Sequence, residues 1–410
     1  MRRVAITGIG AVTPLGNDLQ TTWEGLLAGR SGVDTIAAFD ASDFPVRIAG
    51  EVKHYDPAGA ASAKDVRKFD RNVLFALTAA KEAMADAGVN GFDPERVGVV
   101  VGNCIGGFNE LMRQYDVMRD RGPDRVSPTF LANVLVDSAS GQLAIELGVR
   151  GPNYAVVSAC ATGSHALGEG AELIRRGDAD VVIAGGTESC IHPLILAGFC
   201  SMRGLATGNG DPASAARPFD AKREGFVMAE GAGIMVLEEL EAAKARGARV
   251  YGELLGYGAS NDAHHMLQPD PGAGGVVAMM RAALERSGVE PEDVDYINAH
   301  GTGTPLGDLA ETQAIKEVFG EHAYDLTVSS TKSMLGHMFG AAGAIEAIAC
   351  TLAVHEGIVP PTINYEHPDP GCDLDYVPNE ARKAEVRVAL SNAMGLGGHN
   401  GCVLVGRVDD

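Results

Sequence analysis

The chain contains no long apolar run. Its longest uninterrupted stretches, such as Val97–Val101 and Val181–Ala184, fall far short of the ~18 residues that suggest a membrane-spanning helix, so none is expected. It also lacks any CxxC pair. The 7 cysteines are odd in number and widely scattered, which suggests neither a disulfide framework nor a zinc site and fits a reducing compartment. Positive charge is scarce: 33 Lys and Arg face 54 Asp and Glu, for a net charge of −21. General attraction to nucleic acid or to an anionic membrane is therefore not expected, and an acidic partner has to find a local basic patch. The start, Met1–Gly8, carries a basic pair, but its apolar stretch is too short for the core of a secretory leader. The cytoplasm is the expected location.

What is present is a globular α/β pattern. At 410 residues and 46% hydrophobic content, the chain can bury a large core and hold two domains or one duplicated domain. Short β-branched runs alternate with Ala-rich helical stretches. Strands are predicted at Val4–Gly8, Val97–Val101, Tyr154–Ser158 and Val181–Ala184, with helices at Asn72–Ala87 and Ser164–Arg176, the latter capped by Gly177. The pattern then restarts: strands at Val250–Gly258, Val294–Asn298, Val386–Ala389 and Cys402–Val405, and helices at Gly275–Ser287 and Gly340–Val354. Two similar halves, residues 1–250 and 251–410, are expected, although no sequence repeat is visible. Ala206–Asp220 and Pro360–Pro378 read as surface connections. Gly8-Ile9-Gly10 superficially suggests a dinucleotide loop but lacks the third glycine, so it reads as a tight structural turn.

Three glycine-containing segments carry the chemistry: Val157-Ser158-Ala159-Cys160-Ala161-Thr162-Gly163-Ser164, Asn298-Ala299-His300-Gly301-Thr302-Gly303-Thr304-Pro305 and Ser330-Thr331-Lys332-Ser333-Met334-Leu335-Gly336-His337. Cys160 follows a strand-like run and precedes a helix-like one. At a helix N-terminus, backbone N–H groups and the helix dipole stabilise the nucleophilic thiolate. A lone cysteine is usually a buried inert side chain, which is the reading for Cys104, Cys190, Cys200, Cys350, Cys372 and Cys402. A lone loop histidine is usually structural too, as for His54, His192, His322, His355 and His367. His300 and His337 differ because each occupies its own glycine-containing loop, and a thiol with two imidazoles is equipment for acyl transfer.

With these segments in view, the chain resembles the elongating β-ketoacyl-acyl-carrier-protein synthases. The similarity runs from Val4–Gly8 to Gly397-Gly398-His399-Asn400-Gly401 and includes Gly185-Gly186-Thr187-Glu188, Arg217-Pro218-Phe219-Asp220, Gly225-Phe226-Val227 and Glu230-Gly231-Ala232-Gly233. The synthase II group of fatty-acid synthesis fits best, followed by ketosynthases of type II polyketide and polyene pathways. The resemblance implies a thiolase fold, α-β-α-β-α in layers with two mixed five-stranded sheets. It implies a dimer, either of identical chains or with a chain-length-factor-like subunit. Cys160 would accept an acyl chain from acyl carrier protein, with its own N–H and that of Leu396 as the oxyanion hole. His300 and His337 would stabilise the enolate formed when malonyl-acyl carrier protein loses carbon dioxide, and Lys332 would hold the polar network around them. No cofactor is implied beyond the phosphopantetheine carried by the partner.

Finer expectations follow from the same resemblance. Asn298, Glu346, Ser391 and Asn392 would surround a structural monovalent cation. The pantetheine arm would pass Thr302 and Thr304, while Ile105, Phe130, Phe199 and Leu396 would shape the acyl channel. Lys64, Arg67 and Lys68, spaced i, i+3 and i+4 on one predicted helical face, would dock the acidic carrier, extended by Arg125 and Arg203. Three positions depart from the synthase II pattern: Gly303 where Ser is common, Leu335 where Thr is common, and Leu396 in place of an aromatic gate. A degradative thiolase would need a second catalytic cysteine in a C-terminal glycine signature, a chain-length factor would lack Cys160, and a starter-unit synthase would lack His337.

Overall fold

A computed structural model describes residues 2–89 and 91–408; Met1 of the opening segment lies outside them. Ten strands form the main sheet: β1 (Val4–Val12), β2 (Val97–Asn103), β3 (Asn153–Tyr154), β4 (Val181–Glu188), β5 (Gly231–Glu239), β6 (Gly252–Asn261), β7 (Tyr296–Asn298), β8 (Thr327–Ser329), β9 (Val388–Gly395) and β10 (His399–Gly406). The helices that matter to the site are α1 (Ala63–Val66), α2 (Arg71–Ala87), α3 (Phe108–Arg121), α4 (Phe130–Val134), α5 (Thr162–Arg176), α6 (Pro193–Met202), α7 (Gly274–Ser287), α8 (Pro305–Phe319) and α9 (Ala342–Glu356).

The strand order is β8-β7-β9-β10-β6-β1-β5-β4-β2-β3, and it contains a repeat. Read from the outer edge inward, β3-β2-β4-β5-β1 and β8-β7-β9-β10-β6 share one pattern: the first three strands parallel, the last two antiparallel to their neighbours. The expected pair of five-stranded sheets is therefore present as two units, but they are not separate. Ala5↔Glu253 and Ile6↔Gly252 pair β1 with β6 and join the units into one continuous sheet. Helices α5 and α9 pack on each other and on strands of both units, α2 covers β1 and β5, and α7 covers β6 and β10. This gives the five layers.

Local sequence explains these placements. Val97, Val99, Val100 and Val101 are all buried, as required of a parallel strand covered on both faces. Helix α9 is buried from Ala342 through Val354 because it lies in the central layer, and apolar residues all round suit that position. Gly177 ends α5 in the left-handed region as predicted. The Gly8-Ile9-Gly10 segment is no turn: it lies inside β1, and a Cβ on Gly8 or Gly10 would sit 2.1 Å from Ala83 O or 1.9 Å from Ala79 O. These glycines let α2 lie directly on the strand. Nor do the two supposed surface connections stay at the surface. Phe219 and Tyr376, one from each, are buried and stacked at 4.0 Å, and Asp220 accepts the N–H groups of Glu366 and His367.

Candidate active site

Cys160 stands immediately before α5, and the chain reaches it through a strained residue, Ala159 at φ 50°. A Cβ on Gly395 would lie 2.9 Å from Cys160 N, so the Gly395-Leu396 turn sits directly against the nucleophile. The Leu396 N–H faces the sulfur. Burial pushes the Cys160 thiol up to about 12, opposed by the positive charge of Lys332 and by that N–H. The resting group is a thiol. The expected helix-end stabilisation of the thiolate does not prevail, because a side chain 6% exposed loses more in desolvation than the nearby charges return.

His300 emerges from the end of β7. Glu311, on α8, accepts both the His300 N–H and the Gly301 N–H at 2.8 Å, and Asp308 accepts the Gly303 N–H at 3.1 Å. Gly303 has φ 83°, a left-handed conformation that favours glycine over serine. His337 is fixed through its backbone: its N–H donates to Val227 O at 2.7 Å and its carbonyl accepts from Ala229 N at 2.8 Å. The two imidazoles meet edge to face, with centroids 5.4 Å apart. Burial, Lys332 and, for His300, the neighbouring His337 hold both well below the usual histidine range. Both rings are neutral at pH 7 and each can donate one hydrogen bond. Lys332 is buried and paired with Glu346.

One cavity of about 350 Å³ collects Cys160, His300 and His337, together with Thr302, Thr304, Phe199, Arg203 and Leu396. Its nucleophile comes from the first repeat and its imidazoles from the second. The arrangement offers a thiol, an N–H pair beside it, and two neutral donors across from it.

Family models match in order along the chain: beta-ketoacyl synthase, N-terminal domain, over residues 1–243, and beta-ketoacyl synthase, C-terminal domain, over residues 251–366. The chain belongs to the beta-ketoacyl synthase family. It is 49% identical over 411 residues to a 3-oxoacyl-[acyl-carrier-protein] synthase 2 of Coxiella burnetii, covering 100% of this chain and 99% of that one. A synthase 2 of Synechocystis sp. is 50% identical over 401 residues, with coverage of 97% and 96%. Among solved structures, the ishigamide ketosynthase/chain length factor superposes with TM-score 0.91 at 36% identity, covering 100% of both chains. A type II polyketide acyl-carrier protein in complex with its ketosynthase superposes with TM-score 0.92 at 34% identity, again over 100% of both chains.

Within this family member, other expected site residues fall differently. Ile105 packs against the apolar cluster that includes Cys160, but neither it nor Phe130 lines the cavity. Asn298, Glu346, Ser391 and Asn392 are buried, and each carries a side-chain oxygen without a hydrogen-bond partner, Oδ1, Oε2, Oγ and Oδ1 respectively. Lys64, Arg67 and Lys68 do not share a helix face, because α1 ends at Val66, with Arg67 as its cap. Ser62 and Asp65 close that turn, and Lys68 pairs with Asp65 at 2.7 Å. Lys64, Arg67 and Arg125 are exposed. Sequence reading missed Glu311 and Asp308. Their signal was an acidic pair at i, i+3 just after the His300 loop, with carboxylates free to turn back onto its N–H groups.

Proposed function

We propose that the chain is an elongating 3-oxoacyl-acyl-carrier-protein synthase of fatty-acid synthesis. The observation that carries this reading is the meeting of Cys160, His300 and His337 in one cavity with the Gly395-Leu396 turn set against Cys160. In the first half-reaction Cys160 Sγ attacks the carbonyl of a carrier-bound thioester. The oxyanion is held by the N–H groups of Cys160 and Leu396, and the pantetheine thiol departs with the proton the cysteine loses. In the second, malonyl-acyl carrier protein loses carbon dioxide, and the enolate oxygen takes hydrogen bonds from the neutral imidazoles of His300 and His337. The carbanion then attacks the acyl-cysteine carbonyl and the C–S bond breaks. The product is a 3-oxoacyl chain two carbons longer, on the carrier. Lys332, paired with Glu346 and outside the cavity lining, sets the electrostatic field around thiol and imidazoles. The decisive test is mass spectrometry of Cys160 after incubation with a panel of acyl-carrier proteins. Absence of any acyl-cysteine overturns the reading; loading confined to polyenoic chains favours a type II polyketide or polyene ketosynthase working with a chain-length-factor subunit, which the likeness to such structures supports.

Acyl carrier protein is the proposed partner, docking on Lys64, Arg67, Lys68, Arg125 and Arg203. Reversing the charge of Lys64, Arg67 and Lys68 is expected to raise KM for carrier-bound substrate, with a smaller penalty as salt screens the attraction, while a small pantetheine thioester reacts nearly as before. Equal losses on both substrates would remove these residues from docking. A second subunit is proposed over α3 and α4. Leu111, Tyr115 and Met118 form an exposed apolar stripe on α3, at 40%, 51% and 43% exposure, and Leu131, on α4, and Val157, just after the edge strand β3, are 69% and 48% exposed. Either a second copy or a chain-length-factor-like subunit would cover them. We place the protein in the cytoplasm; no helix among the described residues is long and apolar enough to cross a membrane.

The partnerless oxygens of Asn298, Glu346, Ser391 and Asn392 are neutral or singly charged oxygen donors that suit a monovalent cation. Asn298 and Ser391 face each other across the β7–β9 ladder, so such an ion would brace the strand ends that carry His300 and Leu396. Leu396 also bears on substrate choice, since its side chain is 37% exposed at the cavity and leucine is a less rigid barrier than an aromatic gate. Leu396→Phe is expected to slow loading of rigid unsaturated chains more than that of matched saturated chains. An unchanged preference ratio would remove it as a determinant.

A further inference from the structure

Three phenylalanine rings line the cavity. Phe199 and Phe339 stack at 5.2 Å with an interplanar angle of 19°, and Phe226 stands edge-on to both, at 5.3 Å and 5.9 Å. Phe339 also lies 4.7 Å from the His337 imidazole. All three rings line the cavity with Cys160 and His337, whereas Ile105 and Phe130 do not.

Phe339 holds this position against its own backbone preference. Its φ is 44°, a left-handed conformation that is a genuine outlier for a bulky residue and persists only where the surroundings over-determine it. They do so on both sides. His337 is tied to Val227 and Ala229, and the Gly340 N–H donates to Glu188 Oε2 at 3.2 Å. That same oxygen accepts the Cys104 N–H at 3.0 Å, so one buried carboxyl group anchors both the turn carrying Phe339 and the segment leading to Ile105. The ring is thus placed beside the nucleophile by a rigid frame and is not a mobile surface group.

From this arrangement we infer that Phe339, together with Phe199, is the stop of the acyl pocket and restricts Cys160 to short acyl groups. The inference rests on the synthase reading above and deepens it. Two rings stacked at this distance leave no room for a methylene chain between them, so a chain growing from Cys160 Sγ meets an aromatic wall, and each further methylene has to displace a packed ring.

The test compares Cys160 loading by butanoyl and dodecanoyl thioesters of the same carrier in the full-length protein, followed by mass spectrometry. Wild type is expected to load butanoyl faster. Phe339→Leu is expected to shift the ratio of rate constants toward dodecanoyl by about tenfold or more, the scale on which a pocket discriminates among apolar groups. Phe199→Leu, which removes the stacking partner and leaves the strained turn in place, is expected to shift it the same way and decides the matter if Phe339→Leu does not fold. A wild type that loads both chains equally, or folded variants with the wild-type ratio, overturns the stop. Failure of every thioester to acylate wild-type Cys160 would strike the synthase reading instead.

Discussion

Replacing Cys160 with Ala or Ser is expected to abolish condensation while decarboxylation of malonyl-acyl carrier protein continues. In the proposed mechanism the acyl-enzyme forms on this sulfur; no other cysteine lines the cavity, and neither an alanine methyl nor an unactivated serine hydroxyl replaces the thiol. Decarboxylation draws on groups the substitution leaves in place: His300 and His337 come from the second repeat, held by Glu311 and by Val227 rather than by the nucleophile. Carbon dioxide release and acyl-enzyme formation are measured separately on each variant. Normal condensation by Cys160→Ala would end the assignment of Cys160 as nucleophile.

The complementary result is expected from His300→Ala and His337→Ala, which should cut decarboxylation by roughly 10²–10³-fold, the usual cost of removing one preorganised oxyanion donor. Cysteine acylation should suffer less, because its proposed oxyanion donors are backbone N–H groups. Single-turnover loading and decarboxylation assays separate the two steps. Since both imidazoles are held well below the usual histidine range by burial and by Lys332, they remain neutral as pH falls through the ordinary histidine pKa. Decarboxylation should therefore persist below pH 6.5, about where a free imidazole would already be half protonated. A variant that decarboxylates at the wild-type rate would show that its histidine has been given the wrong role.

The grouping of Cys160, His300 and His337 was legible in the sequence because each stands inside a contiguous signature, and the parallel strands at Val97 and Val181 because buried parallel strands read as apolar runs; β5 was missed, and the run expected at Tyr154–Ser158 forms strand only at Asn153–Tyr154. What escaped has physical reasons. Gly8 and Gly10 looked like a turn because a glycine needed for a helix resting on a strand has the same letter as a glycine needed for positive φ. Lys64, Arg67 and Lys68 had helical spacing, but Asp65, bonded to Ser62 and Lys68, closes a single turn and ends it. Glu311, Asp308 and Glu188 are buried carboxyl groups spent on backbone N–H groups, and a sequence does not show which acids turn inward. Phe339 was invisible because its importance lies in a conformation its residue type disfavours.

The seam between the repeats has a consequence for how this chain acquires reactivity. Gly163 at the start of α5 admits the start of α9 so closely that a Cβ there would lie 2.5 Å from Ala344 N. In the proposed mechanism even the first half-reaction draws on a sulfur from one repeat and an N–H of Leu396 from the other. Refolding is expected to restore strands and helices before it brings these two groups together. Thioester reactivity of Cys160 therefore reports assembly across the seam rather than secondary structure, and it should return last.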